Sequence, residues 1–308
     1  MINVGQFPQG VSSDGTHVWV ADRGNGDTGD TVSEINAATG KVLRTIKVGR
    51  GPEGVSSDGT HVWVASSRGG PERGGSVSEI DAATGNVLKT INAGYDPDNL
   101  GGYQPEDVSS DGAHVWVVFG DCDPADDCTV GEIDAYTATF VQTIKVGGDP
   151  QEVSSDGTHV WVTAGSEVSE IDASTGTVVK TIKVGRVALG VSSDGTHVWV
   201  TNAVRHGTVT EIEAATGTVV RTIEVGDPYQ VSSDRTHVWV TSGNGGPYGD
   251  GSVIEIDAAT GKVVKTIDIP RVGGWPVGAN TVSSDGTRVW VTSSTGFHGI
   301  AHTVTEIR

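Results

Sequence analysis

An all-β ring of seven four-stranded blades, a β-propeller, is what this sequence predicts, and three observations predict it. The string Val-Ser-Ser-Asp begins at Val11, Val55, Val108, Val153, Val191, Val231 and Val282, so one unit is repeated seven times. The copies lie 44, 53, 45, 38, 40 and 51 residues apart, about the length of a four-stranded blade. Each copy is a series of short, β-branched, alternating segments separated by Asp-Gly or Thr-Gly turns, and no stretch longer than one turn carries helical periodicity.

Within a unit the first strand ends in Val-Ser-Ser, and an Asp-Gly turn leads to a second strand of the form His-Val-Trp-Val. A third strand follows, such as Val32-Ser33-Glu34-Ile35, then a turn such as Ala37-Ala38-Thr39-Gly40. The fourth strand is of the kind Val42-Leu43-Arg44-Thr45-Ile46-Lys47-Val48. The chain has 8 Trp against 5 Tyr and 4 Phe, and the repeat accounts for the imbalance. One Trp per unit (Trp19, Trp63, Trp116, Trp161, Trp199, Trp239, Trp290) is expected to wedge between adjacent sheets, leaving Trp275 outside the pattern. The last unit stops at its third strand, Val304 to Arg308, while Ile2-Asn3-Val4-Gly5 matches the end of a fourth strand. The N-terminal strand is therefore expected to complete the seventh blade and remove an open edge. The 308 residues, which by length suggest two domains, are read as one domain, 1–308.

Repetition also separates scaffold from site, because a residue present in every blade serves the blade. His17, His61, His114, His159, His197 and His237 share one slot, filled by Arg288 in the seventh unit. A structural role against the turn Asp or a neighbouring blade is expected for them. The turn Asp, a third-strand Glu (Glu34 to Glu306) and an acid two residues later place 19 of the 39 acids by the repeat. The net charge of −19 argues against an electrostatic grip on nucleic acid or an anionic membrane. No apolar run approaches the roughly 20 residues that span a bilayer. The first residues lack the basic start and apolar stretch of a signal peptide, so a secreted or surface setting implies that a signal has been removed.

The first-to-second and third-to-fourth turns are nearly invariant, whereas all length variation falls in the other two connections, on the opposite face. Function is expected on that variable face. Residues just before each first-strand Val should ring the channel mouth. Two before it stand Gln9, Glu53, Glu106, Gln151, Leu189, Tyr229 and Asn280; one before it stand Gly10, Gly54, Asp107, Glu152, Gly190, Gln230 and Thr281. Glu53, Glu106, Asp107 and Glu152 thus crowd one side. Clustered carboxylates call for a cation such as Ca²⁺ or Mg²⁺, or for a wet acidic funnel.

Two further features stand out. The loop 120–128 holds both cysteines, Cys122 and Cys128, expected to pair in a disulfide that suits an oxidising compartment. Asp121, Asp123, Asp126 and Asp127 surround them, either as Ca²⁺ ligands or as a solvated acidic loop. Trp275, Tyr229 and Tyr248 sit in variable-face segments, where aromatics stack on sugars or peptides or pin their own loops.

Trp199-Val200-Thr201-Asn202, then Ile212 with Ala215-Thr216-Gly217, then Thr222-Ile223-Glu224-Val225-Gly226 and Pro228 resemble the YVTN-type β-propeller repeat. The resemblance spans the whole chain and implies an exported or surface-associated protein. The blades also resemble, more distantly, those of streptogramin (virginiamycin B) lyases, which implies His and Glu at the channel mouth with Mg²⁺. Neither ring series here contains a His; His206, His298 and His302 lie in second-to-third loops. The leading expectation is a secreted or surface-displayed, monomeric binding module for a protein, glycan or small cationic ligand. The alternatives are a metal-dependent lyase or hydrolase at the mouth, and a purely structural ring.

Overall fold

The computed structural model describes residues 1–25, 29–68, 74–93, 104–120, 128–243, 250–294 and 302–307. They form twenty-eight strands, from β1 (Ile2–Asn3) to β28 (His302–Ile307), and no helix. Seven sheets of four antiparallel strands result. Six of them take consecutive strands, as in blade one with β2 (Pro8–Ser13), β3 (His17–Asp22), β4 (Thr31–Asn36) and β5 (Lys41–Lys47). The seventh runs β26 (Gly278–Ser284), β27 (Val289–Ser294), β28 and finally β1. The N-terminal strand closes the ring, as the repeat phase predicts.

The apolar segments become strands buried on both faces because each sheet has a sheet on either side. Val18, Trp19 and Val20 are all fully buried although their side chains alternate across β3. Trp19 packs into the next blade against Val55, Val62, Val64 and Ile80. The same displacement by one blade recurs round the ring and ends with Trp290, which packs on Val11, Val18 and Val20 of blade one. Fully burying such an indole contributes several kcal/mol, on the order of the 3–5 kcal/mol that Trp→Ala changes cost.

The polar half of the repeat proves to join blades as well as turn the chain. Ser57 N–H donates to Ser12 Oγ of the preceding blade at 3.0 Å, and the same bond is made by Ser110, Ser155, Ser193, Ser233, Ser284 and, across the closure, Ser13. In six of the seven junctions the second Ser hydroxyl also donates to the preceding blade's turn Asp, as Ser284 does to Asp234 at 2.7 Å. The Asp therefore has two tasks. Its Oδ1 caps the turn, taking the Thr16 and His17 N–H groups at 2.8 and 2.7 Å in blade one, while Oδ2 reaches the neighbouring blade. Burial alone would push the Asp234 carboxyl up, but donors from Thr236, Ser284 and His237 outweigh it and hold it down to about 2.

The shared His slot is structural. His17 donates its backbone N–H to Asp14 and sets Nε2 3.7 Å from the buried Glu34 of its own blade, an arrangement repeated in the other five His blades. Arg44 of β5 approaches Glu34 from the other side at 2.7 Å. Burial accordingly raises Glu34, and the Arg44 and His17 charges oppose it. The turn at Asp234-Arg235-Thr236 keeps its shape at a cost, because Arg235 takes a φ of +72° where the sister turns use glycine.

Two expectations follow from this packing. Ser12→Ala leaves the Ser57 N–H without its acceptor and should cost about 1–3 kcal/mol in urea unfolding, against about 3–5 kcal/mol for Trp199→Ala. Asp234, depressed in the folded state, contributes stability that is complete above its ordinary value of 3.8 and is lost as pH falls toward about 2. Asp234→Asn should therefore flatten the acid limb of a melting-temperature profile below pH ~4.

Candidate functional site

Each first strand slips register just before its Val, between Pro8 and Val11 in blade one and at the equivalent place in every other blade. Such bulges re-aim side chains, and here they turn the preceding residues toward the axis. In blades four to seven a second-strand Thr fixes the bulge. Thr163 Oγ1 accepts the Glu152 N–H at 3.1 Å and donates to Leu189 O of blade five at 2.7 Å. Thr201, Thr241 and Thr292 do the same for Gly190, Gln230 and Thr281. Blades one to three carry Ala21, Ala65 and Val118 at that position, so the support differs between the two sides of the ring.

The mouth encloses a cavity of about 170 Å³. Glu53, Glu106, Asp107 and Glu152 line one part of it, and Tyr229 and Gln230 of blade six another. Gln9, Gln151, Leu189 and Thr281 complete the ring series at the wall. The four acids are not equivalent. Glu53 pairs with Arg23 at 3.5 Å. Asp107 accepts the Val153 N–H of blade four at 3.0 Å, and Glu152 accepts the Val191 N–H of blade five at 3.0 Å. Glycine is required beside them, since a Cβ on Gly54 would stand 2.8 Å from the Asp107 carboxylate.

Burial raises the Asp107 carboxyl to about 6, against the N–H groups of Val153 and Val108. Burial and then the negative charge of Asp107 lift Glu152 well above the usual carboxylate range, against Val191 N–H and the Gln230 side chain. Tyr229 is raised by burial and by Glu152, with Arg23 opposing and Glu53 and Glu106 adding to the rise. The mouth therefore holds two carboxyl groups whose charge is costly near neutral pH, a pattern typical of sites that bind or exchange charge. It offers acceptors, a phenol and an amide to whatever enters.

Other expected residues lie elsewhere. Asn280 donates its amide to Pro8 O at 3.1 Å across the closure and to Ser294 Oγ at 3.2 Å. His302 is turned to the N-terminal segment, where Nδ1 accepts the Phe7 N–H at 2.9 Å and the ring lies 4.8 Å from Phe7. His206 sits exposed with a φ of +57°, its N–H on Asp227. Trp275 stands 45% exposed on a tight Gly273-Gly274 turn closed by mutual Val272–Trp275 backbone bonds. Cys128 is buried and disulfide-bonded; Cys122, Asp121, Asp123, Asp126, Asp127, Tyr248 and His298 lie outside the described residues.

The donor set at the mouth does not fit the divalent cation that the lyase resemblance implies. Among the described residues no group of three or more His, Cys, Asp or Glu stands close enough to hold a metal ion. Glu53 is engaged by Arg23, and Asp107 and Glu152 each accept a backbone N–H of the next blade. Arg23, from a second-to-third connection, is the residue the ring series alone would not reveal. The Thr series of blades four to seven was visible in the repeat as a change from Ala or Val.

Asp107, raised in the folded state, contributes stability that is complete below its ordinary value of 3.8 and is lost as pH rises through about 6. Asp107→Asn keeps an acceptor for Val153 N–H and should reduce the fall in melting temperature between pH ~5 and ~7. Asp22, also lifted to about 6 by burial, and Glu152, lifted well above the usual carboxylate range, contribute to the part that remains. An unchanged profile in the variant would contradict the assignment.

Comparison with known proteins bears on the ring and not on the mouth. No family model matches the chain, and no curated protein sequence matches it. Among solved structures, 1514 chains match, so the architecture is widely shared and carries no single activity. One is hydrazine synthase of Kuenenia stuttgartiensis, similar over 100% of this chain and 97% of that one, with a TM-score of 0.74 and 19% sequence identity. At that identity the likeness establishes the seven-bladed propeller fold.

Proposed function

We propose that the chain is a binding module that takes a small, cationic, hydrogen-bonding molecule at the channel mouth. The observation that carries this reading is the unequal mouth itself. Carboxylates of blades two to four face a cavity of about 170 Å³, with Tyr229 and Gln230 of blade six on its wall. That space is about six water volumes, enough for a small amine or amino alcohol. A cation there would relieve the charge that burial makes costly on Asp107 and Glu152, and the Tyr229 ring would add a π-face. An exported setting accords with the disulfide-bonded Cys128.

The test is a thermal-shift panel at pH 7.5 with short alkylamines and amino alcohols, a neutral polyol, acetate, and Ca²⁺ or Mg²⁺ with and without EDTA. The reading expects saturable stabilisation by the organic cations alone, by an amount that follows ligand concentration over Kd. It expects Asp107→Asn with Glu152→Gln to abolish the effect and pH below about 6 to weaken it. Equal shifts in the double variant and the parent protein would overturn it. A response to Ca²⁺ or Mg²⁺ alone, lost in EDTA, would transfer support to a metal-dependent site.

A further inference from the structure

The third residue after each blade's Trp changes from blade to blade, although the residues around it repeat. In blade one it is Asp22, 1% exposed, whose Oδ2 accepts Thr31 Oγ1 at 3.2 Å and Ser33 Oγ at 2.7 Å from the strand opposite. In blade five it is Asn202, 2% exposed, whose Nδ2 donates to Thr208 Oγ1 and Thr210 Oγ1, both at 2.9 Å. A glycine that follows the preceding blade's fourth strand lies over each of these groups. A Cβ on Gly5 would stand 2.4 Å from the Asp22 carboxyl carbon, and one on Gly185 2.5 Å from the Asn202 amide carbon. This slot is therefore a polar seam between two blades, filled in these cases by a carboxylate or an amide.

Blade two has the shorter Ser66 in the slot, opposite Ser76, with Ser78 two residues further along the same face. The three side chains are 0%, 2% and 0% exposed, and none of their hydroxyls has a hydrogen-bond partner in the protein. A Cβ on Gly49 would lie 2.4 Å from Ser76 Oγ and 2.8 Å from Ser66 Oγ, so both hydroxyls approach one spot beside the glycine. Blade seven also carries Ser in the slot and repeats the pattern. Ser293 and Thr303 stand opposite one another, 0% and 3% exposed, again with neither hydroxyl partnered by the protein. A buried hydroxyl without a partner is costly, and such groups are paired by protein or by water.

We propose that blade two binds an internal water molecule between Ser66, Ser76 and Ser78, in the place that the Asp22 carboxylate and the Asn202 amide take in blades one and five. Ser is shorter than Asn by a carbon and a polar atom, which leaves room on the order of one water, ~30 Å³. Buried waters make roughly three hydrogen bonds, and three hydroxyls are what the slot presents. Those hydroxyls are neutral, each able to donate or accept, which suits a water better than an ion. The bound water completes the seam that the longer side chains complete on their own, and Ser293 with Thr303 marks the equivalent place in blade seven.

A high-resolution crystal structure of the intact chain tests this directly. The expected result is one ordered water about 2.5–3.0 Å from each of the three hydroxyls, and none between Asp22 and Ser33 or between Asn202 and Thr210. Hydroxyls turned onto main-chain carbonyls, with no density between them, would overturn the proposal. Ser66→Asn is expected to expel the water, to bond Ser76 and Ser78 as Asn202 bonds Thr208 and Thr210, and to raise the melting temperature by about 2 °C. An Asn variant that keeps the density, or melts below the parent protein, would count against it equally. The parent's own density answers the question without depending on how the variant folds.

Discussion

The backbone N–H of the second Ser in each Val-Ser-Ser-Asp, held by the first Ser hydroxyl of the preceding blade, is the constraint on which the ring depends. A stack of sheets cemented only by Trp and Val would be free to slide, because apolar contact has no direction. Seven such bonds of 3.0–3.1 Å fix the height of each blade on its neighbour. The indoles then supply the larger share of the energy, each displaced one blade forward. Direction comes from the polar belt and cohesion from the apolar one, and both close through blade seven onto blade one.

That uniform belt is what allows the mouth to be irregular. Immediately before the belt every first strand bulges, so the residues before Val are released from pairing while their positions stay fixed. Blades four to seven hold the bulge with a Thr hydroxyl; blades two to four bring carboxylates. The mouth is therefore rigid, acidic on one side, and different in each blade, with Asp107 and Glu152 held up by burial. The ring supplies the low-dielectric wall that makes those two groups unusual, which a carboxylate on an exposed loop would not experience.

The fold was legible because every one of its rules is written seven times. Blade number, strand order, the Trp wedge and closure by Ile2–Asn3 all follow from the phase of the repeat. Most of the cavity wall was legible too, since position relative to the first-strand Val sets which residues reach the axis. What was not legible is partnership. The Asp of Ser-Ser-Asp reads as a turn residue, and only the ring shows its Oδ2 serving the next blade. Asn280 occupies a mouth position by register, and its amide is also tied across the closure to Pro8 O. His302 likewise accepts the Phe7 N–H. Arg23 and Trp275 lie in connections without a repeat, where spacing says nothing of direction.

The most direct measurement of the central claim is native-state hydrogen exchange at the seven belt amides, Ser13, Ser57, Ser110, Ser155, Ser193, Ser233 and Ser284. If the belt holds the ring as one cooperative body, all seven exchange only with global unfolding and share its free energy, Ser13 and Ser284 at the closure included. If instead blades open singly, these amides will exchange by separate, cheaper openings with a smaller dependence on urea than global unfolding has. That result would contradict the account.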